Sequence, residues 1–231
     1  MDTIRLKFLY QKPNSVYFNH AIQQKELRLN FIAGSRFVWT NNDWRKQQQA
    51  LGLYMPKYWF EQNFKYPEIT YFCFEASIPK LLNKENITAL KDCQLEEVAK
   101  AISDFCKKVG IFIFTEQIKD TVPTLVAIGE NINITNFCSC NNAIGALKPF
   151  DYKTHSDHRT VEFSDHKHGG KEAIFSQTNE TTKAYDKSKE ILNRAETTKE
   201  KEIAELIKAG RYQIDGKLAT EILRIEITAK T

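Results

Sequence analysis

The stretch TYFCFEASI, Thr70 to Ile78, alternates strictly: Phe72 and Phe74 point to one side, Cys73, Glu75 and Ser77 to the other, and Pro79 stops the run. A period of two marks a strand with one buried face, and the same pattern recurs on both sides of it. At the start, MDTIRLKFLY sets Ile4, Leu6 and Phe8 against Thr3, Arg5 and Lys7. KELRLNFIAGSRFVWT gives two alternating runs broken at Gly34, the signature of a hairpin. Downstream, IFIFT, LVAIGENINIT, HRTVEF, EAIFSQ, TKAYDKS and EILRIEITAKT read as further strands, with His168-Gly169-Gly170 as turn material. Only two segments have a clear helical period. Leu95, Val98, Ala99, Ile102, Phe105 and Cys106 recur at three and four before Gly110, and a second helix spans about Thr198 to Ala209 before Gly210. The stretch Cys138 to Asp157 reads as a loop. Many strands and few helices, without regular alternation, predict an α+β fold. A mainly antiparallel sheet would carry helices on one face and leave a polar face on the other.

The chain has 231 residues, 42% hydrophobic and 27% charged, with a net charge of +4. That length holds one good core or two small ones, and we expect a single domain over 1–231. The mild positive charge is compatible with nucleic acid. No apolar run reaches the ~20 residues of a membrane span. The first strand follows the start directly, so no signal peptide is expected. Five cysteines without paired spacing point to reduced thiols, with Cys138-x-Cys140 as strand or turn thiols. The expected compartment is the cytoplasm.

Four strands place polar groups on the face that the alternation leaves free. These are Cys73, Glu75 and Ser77; Asn131 and Asn133, with Ile132 and Ile134 toward the core; Lys183, Tyr185 and Lys187; and Arg224, Glu226 and Thr228. An exposed sheet face has the same look. Glu75 and Glu226, however, sit inside strongly apolar strands, where a lone carboxylate is costly unless paired or metal-bound. Carboxylates holding a hard divalent ion, beside a tyrosine and cations, suit phosphodiester chemistry: the metal polarises the phosphate, the phenol attacks, and lysine or arginine offsets charge.

The segment TTKAYDKSKE, Thr181 to Glu190, focuses this expectation. In an extended chain Lys183, Tyr185, Lys187 and Lys189 share one side, so Tyr185 sits among ammonium groups. A free tyrosine has a pKa of about 10, and Lys187 is the natural neighbour to ease its ionisation or hold the scissile phosphate. Asp186 points the other way and should anchor the strand or the turn after it. A solvated lysine row on a surface strand is the competing reading of this segment.

The stretches MDTIRLKF, FEASIPKLL, GGKEAIFSQTNETTKAYDKSKE and EILRIEI, in that order over almost the whole chain, resemble the replication initiators of filamentous phages (the gene II group) and related plasmid rolling-circle Rep proteins. The resemblance implies a Mg²⁺- or Mn²⁺-dependent endonuclease that nicks one strand of a double-strand origin. It would stay attached to the 5′ end through a phosphotyrosine and later reseal the circle. By position, the Y-D-K motif gives Tyr185 as nucleophile with Lys187, the closing strand gives Arg224 and Glu226, and the FEAS strand gives Glu75. The chain departs from the pattern in two places. The Arg-hydrophobic-Asp strand of many relatives has IGENINI as its nearest equivalent, whose acid Glu130 has core-side parity. The His-hydrophobic-His metal pair of the wider class is matched only by His166-Lys167-His168, at a turn tip, with His155 and His158 nearby. A polar loop rich in histidine is the other reading of that tract, and His20 is structural or solvent-exposed.

Lys183, Lys189, Arg45, Lys46, Asn131 and Asn133 are candidate DNA contacts, although Asn41 to Gln49 also reads as a solvated loop. Tyr54, Tyr58, Trp39, Trp44 and Trp59 suit core packing better than base stacking, and Tyr212 has no motif around it. Expected partners are origin DNA, as duplex, single strand or melted hairpin, and a host helicase; no membrane is expected. A helical C-terminal extension would follow the last strand. The rival class is a non-catalytic origin-binding replication or regulatory protein, with the same basic face but no nicking.

Overall fold

A computed structural model describes residues 2–10, 27–32, 36–63, 66, 70–86, 95–147 and 160–231. His20, His155, His158, Cys93 and the Gly34 turn lie outside the described residues. The chain divides into two compact units, one of Thr3–Asn83 with Leu90–Leu125, the other of Met1–Asp2, Lys84–Ala89 and Val126–Thr231.

In the first unit, β1 (Thr3–Tyr10), β2 (Arg28–Ile32), β3 (Arg36–Thr40), β4 (Lys57–Asn63) and β5 (Thr70–Ser77) lie in the order β2-β3-β4-β5-β1. Each neighbouring pair is antiparallel. The register sets Leu6 opposite Phe74 and Phe8 opposite Phe72, with Tyr58 and Phe60 opposite the same two phenylalanines on the other side. The alternation of TYFCFEASI thus becomes a stripe of aromatic rings, with Phe60 and Phe72 5.3 Å apart. Helix α3 (Leu95–Lys108) covers the stripe with Val98, Ala99, Ile102 and Cys106. Its period of 3.6 is what lets one side stay dry. Full burial of a side chain the size of Val98 or Ile102 contributes roughly 1.5–3 kcal/mol.

Among the described residues this unit has three other helices: α1 (Asn42–Ala50), α2 (Ile78–Asn83) and α4 (Thr115–Asp120). Helix α1 corrects the expectation of a polar loop over Asn41 to Gln49. It is set by Asn41, whose buried amide donates to the Pro56 carbonyl at 2.9 Å and accepts from the Tyr58 N–H at 3.0 Å. The segment IFIFT is likewise not a strand. Ile111 and Ile113 are buried while Phe112 and Phe114 stand 72% and 68% exposed, so it alternates as an extended connector. The Ser103 hydroxyl, donating to the Ile113 carbonyl at 2.7 Å, ties it to α3. Tyr54 is structural, its hydroxyl accepting from the Ser77 N–H at 2.6 Å.

In the second unit, β6 (Leu125–Asn133), β7 (Thr160–Asp165), β8 (Lys171–Ser176), β9 (Glu180–Asp186) and β12 (Ile222–Lys230) lie in the order β6-β12-β9-β8-β7, and β10 (Gln213–Ile214) with β11 (Lys217–Leu218) forms a small hairpin. Helix α5 (Cys140–Gly145), in the segment read as a loop, packs Cys140 and Ile144 against Ala173, Phe175, Ala184 and Leu223. Helices α6 (Lys187–Arg194) and α7 (Thr198–Lys208) bury Ile191 against Ile203, Ala204 and Ile207. Helix α7 opens on a capping box between Thr197 and Glu200, and Gly210 follows it with φ +65°. The architecture is α+β, as the strand-rich pattern implies. Among the described residues no helix is long and apolar enough to cross a membrane.

The aromatic stripe yields the first prediction. Phe74→Ala should lower stability by about 3–5 kcal/mol, read from the urea midpoint, because a fully buried ring leaves a cavity. A loss below ~1 kcal/mol would place Phe74 outside the core.

Candidate active site

Strand β9 carries the segment that the sequence singles out, but it ends sooner than the alternation suggests. Asp186 terminates it and becomes the N-cap of α6, its carboxylate accepting from the Lys189 N–H at 2.9 Å. This is the anchoring role expected of Asp186. Lys187 and Lys189 therefore belong to a helix and do not share a strand face with Tyr185. The physical reason is the cap: once Asp186 satisfies a free amide of the next turn, the backbone goes over to the helical period.

Tyr185 itself faces the polar side of the sheet. Its cross-strand partners are Arg224 on β12 and Glu172 on β8, and Lys183 stands opposite Glu226 one step along. The row Glu172–Tyr185–Arg224 continues to Asn131 on β6, whose side-chain oxygen accepts from Arg224 Nη1 at 2.9 Å. Arg224 is only 2% exposed. Its guanidinium is held by Asp2, with Nη2 2.8 Å from Oδ2, and by Glu226, with Nε 3.4 Å from Oε2. Burial works against the Arg224 charge, but Tyr185, Asp2 and Glu226 more than offset it, so its pKa rises. Gly129 on β6 makes room for this knot, since a Cβ there would lie 2.7 Å from both Arg224 Nη2 and Asp2 Oδ2.

Above this row, α6 and the β7–β8 turn cover Tyr185, which is 7% exposed. The His166 ring stacks on it at 4.7 Å and 10°. Glu190 on α6 acts on the phenol hydroxyl by raising its pKa. Glu190 in turn accepts from the buried Lys187 Nζ at 2.7 Å, and Arg194 Nη1 lies 3.8 Å from its other oxygen. The turn is pinned to α6 by Asn193 Nδ2, which donates to the His168 carbonyl at 2.6 Å, and Gly169 and Gly170 take φ of +97° and +80° to make it. Burial, then Glu190, raises the Tyr185 hydroxyl pKa well above 10, with Arg224 pulling it down. Lys187 does not reach the phenol as a free ammonium group, because it is committed to Glu190. Burial lowers the pKa of both His166 and His168, and Arg194 adds to the effect at His168.

Among the described residues of the second unit, Glu130, Glu226, His166 and His168 do not form a group of ligand atoms. Glu75 lies in the first unit and takes Arg5 Nε at 2.7 Å, and Glu226 takes Arg224. Both carboxylates inside apolar strands are thus balanced by a guanidinium, the alternative that burial also permits. Glu130 is exposed along with Ile128 and Ile132, while Gly129 and Asn131 turn toward Arg224. The parity expected for that strand is reversed. His166 Nδ1 accepts from the His168 N–H at 3.4 Å, and His168 Nε2 lies 3.4 Å from Arg194 Nη1. Among the described residues, one trio brings its ligand atoms within 4.8 Å of one another: Cys140, Asp186 and Glu221. It is a hydrogen-bonded knot, in which the Cys140 N–H donates to Glu221 at 2.8 Å and Asp186 caps α6. Glu226, His166 and His168 spend their ligand atoms on neighbouring side chains and backbone, so they do not fit a Mg²⁺ or Mn²⁺ site.

The candidate DNA contacts divide in the same way. Asn131 and Asn133 are structural: Asn131 also donates to the Asn86 carbonyl at 3.3 Å, and Asn133 donates to the Leu218 carbonyl at 2.8 Å. Arg45 donates to the Met55 carbonyl at 3.2 Å, whereas Lys46 on α1 is exposed. Lys183 is half-buried, and Lys189 lies 3.9 Å from Asp186. Three members of the site escaped sequence reasoning. Gly129, inside a strand, carried the usual signal of a close approach. Glu190 stands at i+3 from Lys187 and at i−4 from Arg194, the spacing of helical ion pairs. Asp2 had no local signal at all.

No family model and no curated protein matches the chain.

Arg224→Ala should cost about 3–5 kcal/mol of stability, because it leaves Asp2 and Glu226 without their shared cation. Chemical denaturation measures it, and a loss near zero would show that the guanidinium is not what holds β6, β12 and Asp2 together.

Proposed function

We propose that the chain is a rolling-circle replication initiator of phage or plasmid type. It nicks and rejoins one strand of origin DNA in the host cytoplasm, through a covalent 5′-phosphotyrosine at Tyr185. The observation that carries this reading is the pairing of Tyr185 with Arg224 across β9 and β12. A buried cation fixed by three partners beside the phenol eases phenolate formation against the burial and Glu190 that oppose it, and it costs no reorganisation during the reaction. The ordered sequence stretches around that tyrosine give the same reading its substrate. In the forward step the phenol oxygen bonds to phosphorus while the bond to the 3′ oxygen breaks. In rejoining, a 3′ hydroxyl attacks the phosphotyrosine and releases the phenol.

A second reading, a non-catalytic DNA-binding protein, is favoured by the 7% exposure of Tyr185. One experiment separates the two. The protein is incubated with a degenerate library of single-stranded and hairpin oligonucleotides, with Mg²⁺ or Mn²⁺ as a reagent, and run on a denaturing gel. A covalent band is expected from the native protein and none from Tyr185→Phe, which loses one hydroxyl and should keep the fold and DNA affinity. An adduct mapped by mass spectrometry to Tyr54, Tyr58 or Tyr212 would overturn the assignment.

With a net charge of only +4, DNA affinity must come from local cations. Contact with ~5 phosphates gives a log–log salt slope of roughly −3.5 to −4.5. A flat salt response would exclude nucleic acid as the ligand.

A further inference from the structure

Tyr185 is 7% exposed, yet a strand to be nicked has to reach its phenol, so part of its cover must move. Two elements lie over the ring, and they are held very differently. Helix α6 is fixed by the Asp186 cap, by the buried Lys187 paired with Glu190 at 2.7 Å, and by Ile191 in the core shared with α7. The β7–β8 turn, His166 to Gly170, is held only at its surface. Among the described residues its outside ties are three. Asn193 Nδ2 donates to the His168 carbonyl at 2.6 Å, Arg194 Nη1 lies 3.4 Å from His168 Nε2, and the Lys171 N–H just past the turn donates to Asn141 at 3.1 Å. All three are open to water, where solvent competes for the same groups and the net gain is small. Within itself the turn is closed by the His166 N–H on the Gly170 carbonyl at 2.9 Å and the Gly169 N–H on the His166 carbonyl at 2.8 Å, so it can move as one piece. It also belongs to an edge hairpin, since β7 pairs with β8 alone among the described strands. What it lays on the phenol is a single flat ring, the His166 imidazole at 4.7 Å and 10°. Gly170 lets the turn seat this closely, because a Cβ there would lie 3.0 Å from Asp186 Cβ.

Resting on the nicking–joining reading, we infer that this turn is a lid and that the stacked His166 is an autoinhibitory contact, which single-stranded DNA displaces before Tyr185 attacks. Closed, the imidazole keeps water and stray phosphodiesters off the phenol. Opening swings the end of the hairpin away and leaves the Tyr185–Arg224 pair in place, because that pair is set by the register of β9 and β12 and not by the turn. His166 is on this account a gating residue that takes no part in the chemistry.

Hydroxyl-radical oxidation of the DNA-free full chain, mapped to single residues by mass spectrometry, reads ring exposure without any activity. Native Tyr185 should be oxidised far more slowly than Tyr66, which is 54% exposed. Asn193→Ala and His166→Ala should each speed oxidation of Tyr185 by roughly 2- to 10-fold, the population shift that loss of one such contact allows. His166→Phe, which restores a flat ring, should bring the rate back to native. Tyr212, packed beside the Ile191 cluster, reports unfolding of the same unit and should not change. Unchanged oxidation of Tyr185 in both alanine variants, or a rise that Tyr212 shares, would overturn the lid. On the denaturing gel with the oligonucleotide library, single-turnover adduct formation by Asn193→Ala should then exceed the native rate by a similar factor, and a rate equal to native would overturn the autoinhibitory role. A Tyr185 that becomes more exposed but forms no adduct in any protein would remove the nicking reading, and autoinhibition with it, while the cover itself would stand.

Discussion

A guanidinium taken out of water must find its charge and its hydrogen bonds inside the protein, and Arg224 sets this condition for the whole second unit. Its three nitrogens are met by Asp2 from the start of the chain, by Glu226 two residues on, and by Asn131 from β6. Because three separated stretches converge on one side chain, the register of β6 beside β12 and the placement of the first residues are fixed together. Gly129 is the cost of that convergence in sequence terms, since any side chain there would occupy the space of the ion pair. Removing a partner from such a knot is far more damaging than replacing the whole of it with apolar groups.

Tyr185 inherits its environment from this arrangement. The strand register sets its phenol beside Arg224, and the helix that begins one residue after β9 ends brings Glu190 back over it. The opposing influences of Arg224 and Glu190 on the phenol are therefore consequences of one short piece of chain, a strand ending in an N-cap. The His166 turn completes the cover, held by Asn193 on the same helix. A tyrosine so enclosed is largely shielded from water.

The first unit is built on a different constraint, the close packing of aromatic rings. Phe72 lies within 6.4 Å, centroid to centroid, of Phe8, Tyr10, Tyr58 and Phe60. Its opposite sheet face is balanced by ion pairs, Arg5 with Glu75 and Lys7 with Glu61, and by cations over Trp59 and Tyr71. Polar residues in apolar strands here report pairing between neighbouring strands.

The sequence by itself determined the elements whose signal is local. Period two in TYFCFEASI and MDTIRLKFLY gave their strands, period 3.6 from Leu95 gave its helix, Gly110 and Gly210 marked helix ends, and Asp186 was legible as an anchor. Those patterns survive because each strand or helix has one side that must leave water. Where the pattern was ambiguous, only the tertiary structure could decide. Lys187 looked like a strand neighbour of Tyr185, but a cap formed by one carboxylate turned it into a helix residue. Glu75 and Glu226 were legible as carboxylates needing a partner, yet whether that partner was a metal or an arginine depended on what lay across the ladder. Glu130 and Asn131 exchanged faces because Arg224, ninety-odd residues away in the chain, selected which side of β6 was buried. Alternation tells which residues share a face. Which charge stands opposite them is a matter of register between distant strands, and no local spacing encodes it.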